Sequence, residues 1–120
     1  MLKIKKIDDF KDFREEMDEK ILNEGNLMIK RFYNIDKHSY KAGALSTKTK
    51  EMLGLVASMA LRCDDCINYH LIRCKQEGVR RKEFFEIFNI ALLIGGSIVI
   101  PHLRKAVKVL DELEVDEDGQ

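Results

Sequence analysis

Two cysteines and a histidine, close together in the sequence, are the residues best suited to chemistry. Cys63 and Cys66 are separated by two residues, a spacing at which a disulfide can close within one helical turn. His70 lies four positions after Cys66, so on a helix both side chains would project from one face, about 6 Å apart. Because an imidazole titrates near neutral pH, His70 could accept a thiol proton directly or through a water. These residue types at this spacing indicate thiol redox chemistry.

The charges around the cysteines have opposing effects on thiol ionisation. If the pair begins a helix, the unpaired N–H groups and the helix dipole lower the pKa of whichever sulfur lies nearer the helix end. Asp64 and Asp65 lie between the cysteines; they suit a helix start but disfavour an adjacent thiolate. We therefore expect at least one of these carboxylates to point to solvent, and the thiol pKa to be lowered only moderately.

Two other interpretations of the pair stay open at this point. Cys63, Cys66 and His70 could be three zinc ligands, with Glu51 as a fourth. A structural zinc site usually has a second ligand pair, however, and the sequence contains none. The cysteines could also be inert buried residues, as we expect for Cys74, which we interpret as a small core side chain.

Composition restricts the class of protein. The 120 residues suit one domain, and lysine plus arginine equals aspartate plus glutamate at 21 each, so no overall charge favours nucleic acid as a partner. Three cysteines, an odd number, argue against a secreted disulfide framework. The N-terminal sequence has no apolar run long enough for a signal peptide, and the longest apolar stretch is interrupted by Gly95 and Gly96. We expect a cytoplasmic protein with no membrane contact.

The spacing of apolar residues is helical throughout, and no stretch alternates as a strand would. Gly25, Gly78 and the pair Gly95–Gly96 are expected to end helices, and Ser46 or Thr47 suits an N-cap. We predict an all-α fold of about six helices, forming a single domain over residues 1–120, in which an αα-hairpin carries the CxxC pair. The predicted helices cover residues 8–25, 27–33, 48–62, 66–77, 80–94 and 97–113, with a loop after residue 33 that includes His38.

The residues around the pair form a longer motif with fixed spacing: Glu51, Cys63, Cys66 and His70. This motif resembles the signature of the carboxymuconolactone decarboxylase superfamily, and more narrowly of its alkyl hydroperoxidase D-like branch. The resemblance covers residues 42–113. It includes the stretch 45–51 that leads into the glutamate, then Gly78, Glu83 and the Gly95–Gly96 pair.

The resemblance implies an activity and a role for each motif residue. Proteins of this branch cycle a CxxC pair between dithiol and disulfide while reducing hydroperoxides, so the resemblance implies an antioxidant peroxidase that uses a thiol/disulfide electron donor. It implies that Cys66 attacks the peroxide and that Cys63 resolves the resulting sulfenic acid. Glu51 and His70 are implied as a proton relay. It also implies a homo-oligomer, a hexamer or a trimer, and no cofactor or metal is expected.

Glu51 presents a geometric difficulty. It lies twelve positions before Cys63, about 18 Å along a straight helix. In a simple antiparallel hairpin, the residue that faces Glu51 from the second helix would be near Cys74 rather than His70. Glu51 therefore joins the site only if the helices cross steeply, if its helix ends early, or if a neighbouring subunit donates it.

Other functions use the same residues differently. A lyase or isomerase acting on a small organic acid would use Glu51 and His70 as acid–base groups without the cysteines, although the decarboxylase branch itself lacks this cysteine pair. A non-catalytic helical module, with or without a bound metal, is the remaining alternative. His102, next to Pro101 at the start of the last predicted helix, could line the site in either enzyme.

Overall fold

The computed structural model describes residues 6–117, with side chains up to residue 115, and within this range it contains helices and no strands. The all-α prediction is therefore confirmed. The prediction of one domain over residues 1–120 stays a prediction, because residues 1–5 and 118–120 lie outside the described range. The helices are α1 (Lys6–Asn23), α2 (Leu27–Ser39), α3 (Thr47–Ala60), α4 (Asp64–Gln76), α5 (Arg81–Gly95) and α6 (Ile100–Glu117), with a short 3₁₀ helix at Ser97–Val99.

The chain divides into two compact units, one ending at Lys41 and the other beginning at Ala42. The first contains α1 and α2, which are linked by a hydrogen bond from the Tyr33 hydroxyl to Asp18 Oδ1 at 3.0 Å. Helix α2 is longer than expected and the predicted loop around His38 is wrong. No glycine or proline interrupts residues 27–39, and the His38 ring and the Ser39 hydroxyl bond to carbonyl oxygens one turn earlier.

The second unit contains α3 to α6 and the candidate site. Helix α3 packs against α4 and α5, and α4 packs against α6. The apolar residues at helical spacing meet in its core, where each buried leucine or phenylalanine contributes about 1.5–3 kcal/mol relative to an exposed one. The fully buried side chains here include Leu55, Met59, Leu71, Cys74, Phe84, Val99 and Leu110.

The junction between α3 and α4 fixes where the cysteines lie. Helix α3 begins at the N-cap Ser46, as predicted, and ends in a Schellman-type turn. In that turn Arg62 N–H donates to Met59 O and Cys63 N–H donates to Ser58 O, while Arg62 adopts a left-handed φ of 60°. The same Cys63 is the N-cap of α4. One residue thus ends the first helix of the hairpin and begins the second.

A glycine pair ends α5 and leads the chain towards α6. Gly96 has a φ of 79°, which favours glycine, and a Cβ on Gly95 would lie 2.4 Å from Val99 Cγ2. Pro101 follows as the second residue of α6, where its missing N–H costs nothing. None of the helices in the described range is long and apolar enough to cross a bilayer.

Candidate active site

The two cysteines of the motif lie at the start of α4. Cys63 is partly buried, Cys66 is exposed, and both are free thiols. The Sγ of Cys63 accepts the backbone N–H of Cys66 at 3.3 Å, in the manner of a helix-capping side chain. The helix N-terminus therefore directs an N–H donor at one sulfur of the pair, the arrangement in which cysteine redox chemistry is commonly found.

The acidity of Cys66 differs from the sequence-based expectation. The hydrogen bond with Cys63 raises the pKa of the Cys66 thiol to about 11, with burial and the charges of Cys63 and Asp65 acting in the same direction. The expectation of a moderately lowered thiol pKa is thus wrong for this residue. Two sulfurs this close cannot both ionise easily, because the second thiolate would form beside the first. Cys66 consequently needs a base to lose its proton near neutral pH.

Glu51 lies in the same chain as His70 and contacts it directly. Its carboxylate is almost fully buried, with Oε1 2.8 Å from His70 Nδ1 and Oε2 3.3 Å from Arg73 Nε. His70 and Arg73 are one turn apart on α4, so the carboxylate spans that turn from α3. Glu51 does lie near Cys74, as an antiparallel hairpin requires, and its charge is one cause of the raised Cys74 pKa. Its side chain nevertheless reaches His70, and no neighbouring subunit is needed.

The contact with Glu51 defines the proton arrangement on His70. A carboxylate paired with an arginine only accepts hydrogen bonds, so Nδ1 of His70 carries the proton and donates it to Glu51 Oε1. Nε2 is then the nitrogen that can take up a proton. The Tyr69 ring lies edge-on to the imidazole at 5.1 Å between centroids, so Tyr69 packs against His70. The contacts with Glu51 and Tyr69 therefore fix the orientation of the His70 ring.

The acidic residues between the cysteines have different surroundings. Asp65 is exposed, which confirms that at least one carboxylate points to solvent. Asp64 Oδ1 lies 2.7 Å from His102 Nδ1, and its Oδ2 lies 3.0 Å from Lys105 Nζ. Burial opposes ionisation of Asp64, but these two hydrogen bonds outweigh it and hold the pKa of the carboxyl below its ordinary value.

The sequence did not reveal two of the residues around the motif, Arg73 and Lys105. Arg73 had no feature to separate it from other exposed arginines. His102 was considered as a residue that could line the site, but neither its partner Asp64, 38 positions earlier, nor Lys105 was foreseen. Only the packing of α6 against α4 brings these groups to the start of the CxxC helix.

Cys74 behaves as the core residue that we expected. It is fully buried, and burial, followed by the nearby charge of Glu51, raises the pKa of its thiol to about 12. A neutral thiol of this kind is a poor nucleophile. Within residues 6–117, no three His, Cys, Asp or Glu side chains are arranged so that they could hold a metal ion.

Sequence comparisons identify relatives of this chain. A model of the carboxymuconolactone decarboxylase family matches residues 26–109. Protein 4 of the cox locus of Paracoccus denitrificans, which is uncharacterised, is 26% identical over 83 residues, covering 69% of this chain and 75% of that protein. An uncharacterised protein of Cupriavidus necator is 24% identical over 82 residues, covering 68% and 73% of the two chains.

Solved structures share both sequence and fold with this chain. The Thermotoga maritima protein TM1620 is 55% identical, with a TM-score of 0.90 over 93% of this chain and 98% of that chain. A second crystal structure of that protein, described as a family member with a suggested part in an antioxidative response, has a TM-score of 0.87 over 92% and 95%. A Legionella pneumophila member of the family is 26% identical, with a TM-score of 0.76 over 91% and 95%. Since the family match spans most of the chain and the relatives share its helical fold, this chain belongs to the carboxymuconolactone decarboxylase family.

Proposed function

We propose that this protein is a thiol-dependent peroxidase of the alkyl hydroperoxidase D-like branch, which reduces hydroperoxides through a dithiol–disulfide cycle of Cys63 and Cys66. The observation that carries the proposal is the buried Glu51–His70 pair. It orients an imidazole on the helix that begins with the cysteines. A solvated glutamate in the first turn of α3, the simplest alternative, would not be almost completely buried against a histidine.

The proposed cycle begins with proton transfer. Nε2 of His70 accepts the proton of Cys66, directly or through a water, while Glu51 stabilises the imidazolium through Nδ1. The Cys66 thiolate attacks one peroxide oxygen, the O–O bond breaks, and the departing alkoxide takes a proton to leave as an alcohol. Cys66 is then a sulfenic acid. Cys63 displaces its oxygen as water, forming the disulfide, so one hydroperoxide is reduced for each dithiol oxidised.

The raised pKa of Cys66 supports the need for this base. A thiol with a pKa of about 11 is almost entirely protonated at neutral pH, so its reaction depends on a neighbour that removes the proton. Cys63 receives the N–H donor of the helix start and is hydrogen-bonded to the Cys66 thiol, so it is placed to resolve a sulfenic acid formed there. The assignment of attack to Cys66 and of resolution to Cys63 is the one that the family resemblance implies.

The compartment and the electron donor follow from the same chemistry. An exposed dithiol turns over only where a second thiol/disulfide system reduces it again, which favours the cytoplasm and a protein or small-molecule dithiol as donor. The Thermotoga maritima relative, described with a suggested part in an antioxidative response, is in keeping with a protective peroxidase. No nucleic acid, membrane or cofactor enters the proposed reaction.

The proposed state in solution is a homo-oligomer, a hexamer or a trimer. Large apolar side chains remain exposed at the end of α5 and just beyond it, including Leu93 at 80% and Ile94 at 67% exposure, and Ile98 at 55%. Exposed apolar side chains this close together are typical of surfaces that associate. A second copy of the chain is the partner that we propose.

The test measures hydroperoxide consumption driven by dithiothreitol. We expect turnover by the wild type, loss of turnover in Cys66→Ser, and retained turnover in Cys74→Ala, the matched cysteine control. In Cys63→Ser, a dimedone adduct should form on Cys66. Consumption that is unchanged by Cys66→Ser would contradict the proposal, and an adduct confined to Cys63 in a Cys66→Ser variant would reverse the order of the thiols. If turnover of an organic acid survived removal of both cysteines, a lyase would replace the peroxidase.

A further inference from the structure

A cluster of three polar side chains, Asp64, His102 and Lys105, joins α6 to the first turn of the CxxC helix. Asp64, the residue after Cys63, is held by His102 Nδ1 at 2.7 Å and by Lys105 Nζ at 3.0 Å. The two partners bind different oxygens of the carboxylate, so both hydrogen bonds can exist at once. Asp64 and His102 are partly shielded from solvent, with side-chain exposures of 39% and 20%, which strengthens their interaction relative to a fully exposed pair.

This cluster changes the electrostatic environment of the neighbouring sulfur. A carboxylate next to Cys63 would by itself oppose a thiolate there, offsetting the benefit of the helix N-terminus. Asp65, one position further on, shows the effect of an exposed carboxylate, since its charge contributes to raising the pKa of Cys66. At Asp64, by contrast, the Lys105 ammonium offsets the charge of the carboxylate, and the His102 ring is hydrogen-bonded to its other oxygen.

We propose that His102 and Lys105 are positioning residues of the redox pair, which act through Asp64 to set how readily Cys63 ionises. Holding Asp64 also fixes the first turn of α4, whose Cys66 N–H is the donor to Cys63 Sγ. The inference rests on the proposed function, because the ionisation of Cys63 matters only if the pair is redox-active. Neither residue needs to touch the peroxide.

The test reads the ionisation of Cys63 without using peroxide. In a Cys66→Ser background Cys63 is the only accessible cysteine, because Cys74 is fully buried. Its rate of alkylation by iodoacetamide is measured across pH, since only the thiolate reacts. Adding His102→Gln and Lys105→Gln together should slow alkylation about three- to tenfold at neutral pH and move the profile to higher pH. Adding Asp64→Asn to those two changes should restore the rate.

Two controls exclude a general loss of structure or of charge. Lys108→Gln removes the same charge one turn further along α6 and should leave the profile in place. Lys105→Gln alone changes a side chain that is 65% exposed, so it should fold normally and shift the profile in the same direction by a smaller amount.

An unchanged profile in the His102→Gln/Lys105→Gln variant would overturn the inference. So would a rate that stays low after Asp64→Asn is added, because the effect would then not pass through Asp64. Neither result depends on peroxidase activity. Failure of the proposed function would instead appear as peroxide consumption that is unaffected by Cys66→Ser. The alkylation profiles are measured without peroxide, so they would still test the role of His102 and Lys105.

Discussion

At the scale of single residues, the candidate site depends on one buried carboxylate that binds two side chains of α4. Glu51 accepts from His70 through one oxygen and from Arg73 through the other, and so fixes the proton of His70 on Nδ1. Arg73 binds one oxygen of the carboxylate and leaves the other for the imidazole. The contact with Glu51 Oε1 gives the histidine both an orientation and a tautomer suited to accepting a thiol proton.

The first prediction concerns Glu51→Gln. An amide at this position can no longer stabilise the imidazolium, so hydroperoxide turnover should fall about 10- to 100-fold. The matched control is Glu77→Gln, because Glu77 also accepts from Arg73, at 3.3 Å, but is not bonded to His70. Steady-state rates of both variants, compared with the wild type, provide the measurement. Equal rates for the two variants would show that the Glu51–His70 contact has no part in turnover.

The second prediction concerns Cys74 and alkaline pH. Its pKa rises from an ordinary value of 9.0 to about 12 in the folded protein, so folding favours the protonated thiol. The associated stability is fully present below the pKa of the unfolded chain and is lost as pH rises towards the folded value. Between about pH 9 and 11, the wild type should therefore lose about 1–2 kcal/mol more unfolding free energy than Cys74→Ala.

Urea unfolding at a series of pH values measures this difference. At neutral pH the alanine variant should be less stable by about 1 kcal/mol, because it leaves a small cavity in the core. The difference in unfolding free energy between the wild type and Cys74→Ala should narrow as pH rises. Two curves that stay parallel through the alkaline range would show that Cys74 does not titrate as proposed.

The sequence predicted the central residues of the site better than their surroundings. Cys63, Cys66 and His70 are close in sequence, so helical geometry alone places them together. The position of Glu51 required tertiary information, because a straight hairpin places it beside Cys74 and only the length of its side chain carries the carboxylate to His70. The link from Asp64 to His102 spans 38 residues and depends wholly on how α6 packs against α4.

At the scale of helices, the number and order of elements could be predicted because apolar spacing and glycines mark them. Gly78, with a φ of 87°, and the Gly95–Gly96 pair end helices where we expected. The ends of the helices were predicted less accurately than their number. Helix α2 continues to Ser39 instead of ending at residue 33, since nothing in residues 34–39 forbids a helix. Helix α4 begins at Asp64 rather than Cys66, because Cys63 rather than a following residue is its cap.

The third prediction tests the close approach at the end of α5. In Gly95→Ala the new methyl group would lie 2.4 Å from Val99 Cγ2, and Val99 is fully buried with a stiff branched side chain. We expect a loss of about 1–3 kcal/mol in the free energy of unfolding. Gly43→Ala is the matched control, since its nearest atom would be Lys50 Nζ at 3.8 Å. Equal stabilities of the two variants in chemical denaturation would contradict the packing described for Gly95.

At the scale of the whole molecule, the chain combines a well-filled core with a substantial exposed apolar surface. Fully buried leucines and phenylalanines stabilise the second unit, yet Leu93 and Ile94 in the last turn of α5 remain mostly exposed. Both features agree in outline with the composition, because 45% of the 120 residues are hydrophobic, more than one small core can cover. Which side chains stay outside could not be predicted, since it depends on the angles at which the helices pack.

The fourth prediction concerns association. Wild-type protein should sediment as a hexamer or a trimer at micromolar concentration, and Leu93→Glu should shift it towards smaller species by placing a charge in the proposed contact. Lys108→Glu, an exposed polar position, is the control for the added charge. Analytical ultracentrifugation of the three proteins gives the result directly. If the wild type were a monomer, or if Leu93→Glu left the oligomer unchanged, the end of α5 would not be the subunit interface.

A single oxidation of the reduced protein tests most directly whether Cys63 and Cys66 form a redox-active pair. One equivalent of an alkyl hydroperoxide is added, remaining thiols are alkylated, and the products are mapped by mass spectrometry. We predict that the protein, before alkylation, is lighter by two hydrogen atoms. A disulfide should join Cys63 to Cys66, Cys74 should stay reduced, and one equivalent of alcohol should form. If the hydroperoxide stayed intact and both Cys63 and Cys66 were fully alkylated afterwards, the proposed dithiol–disulfide cycle would be contradicted.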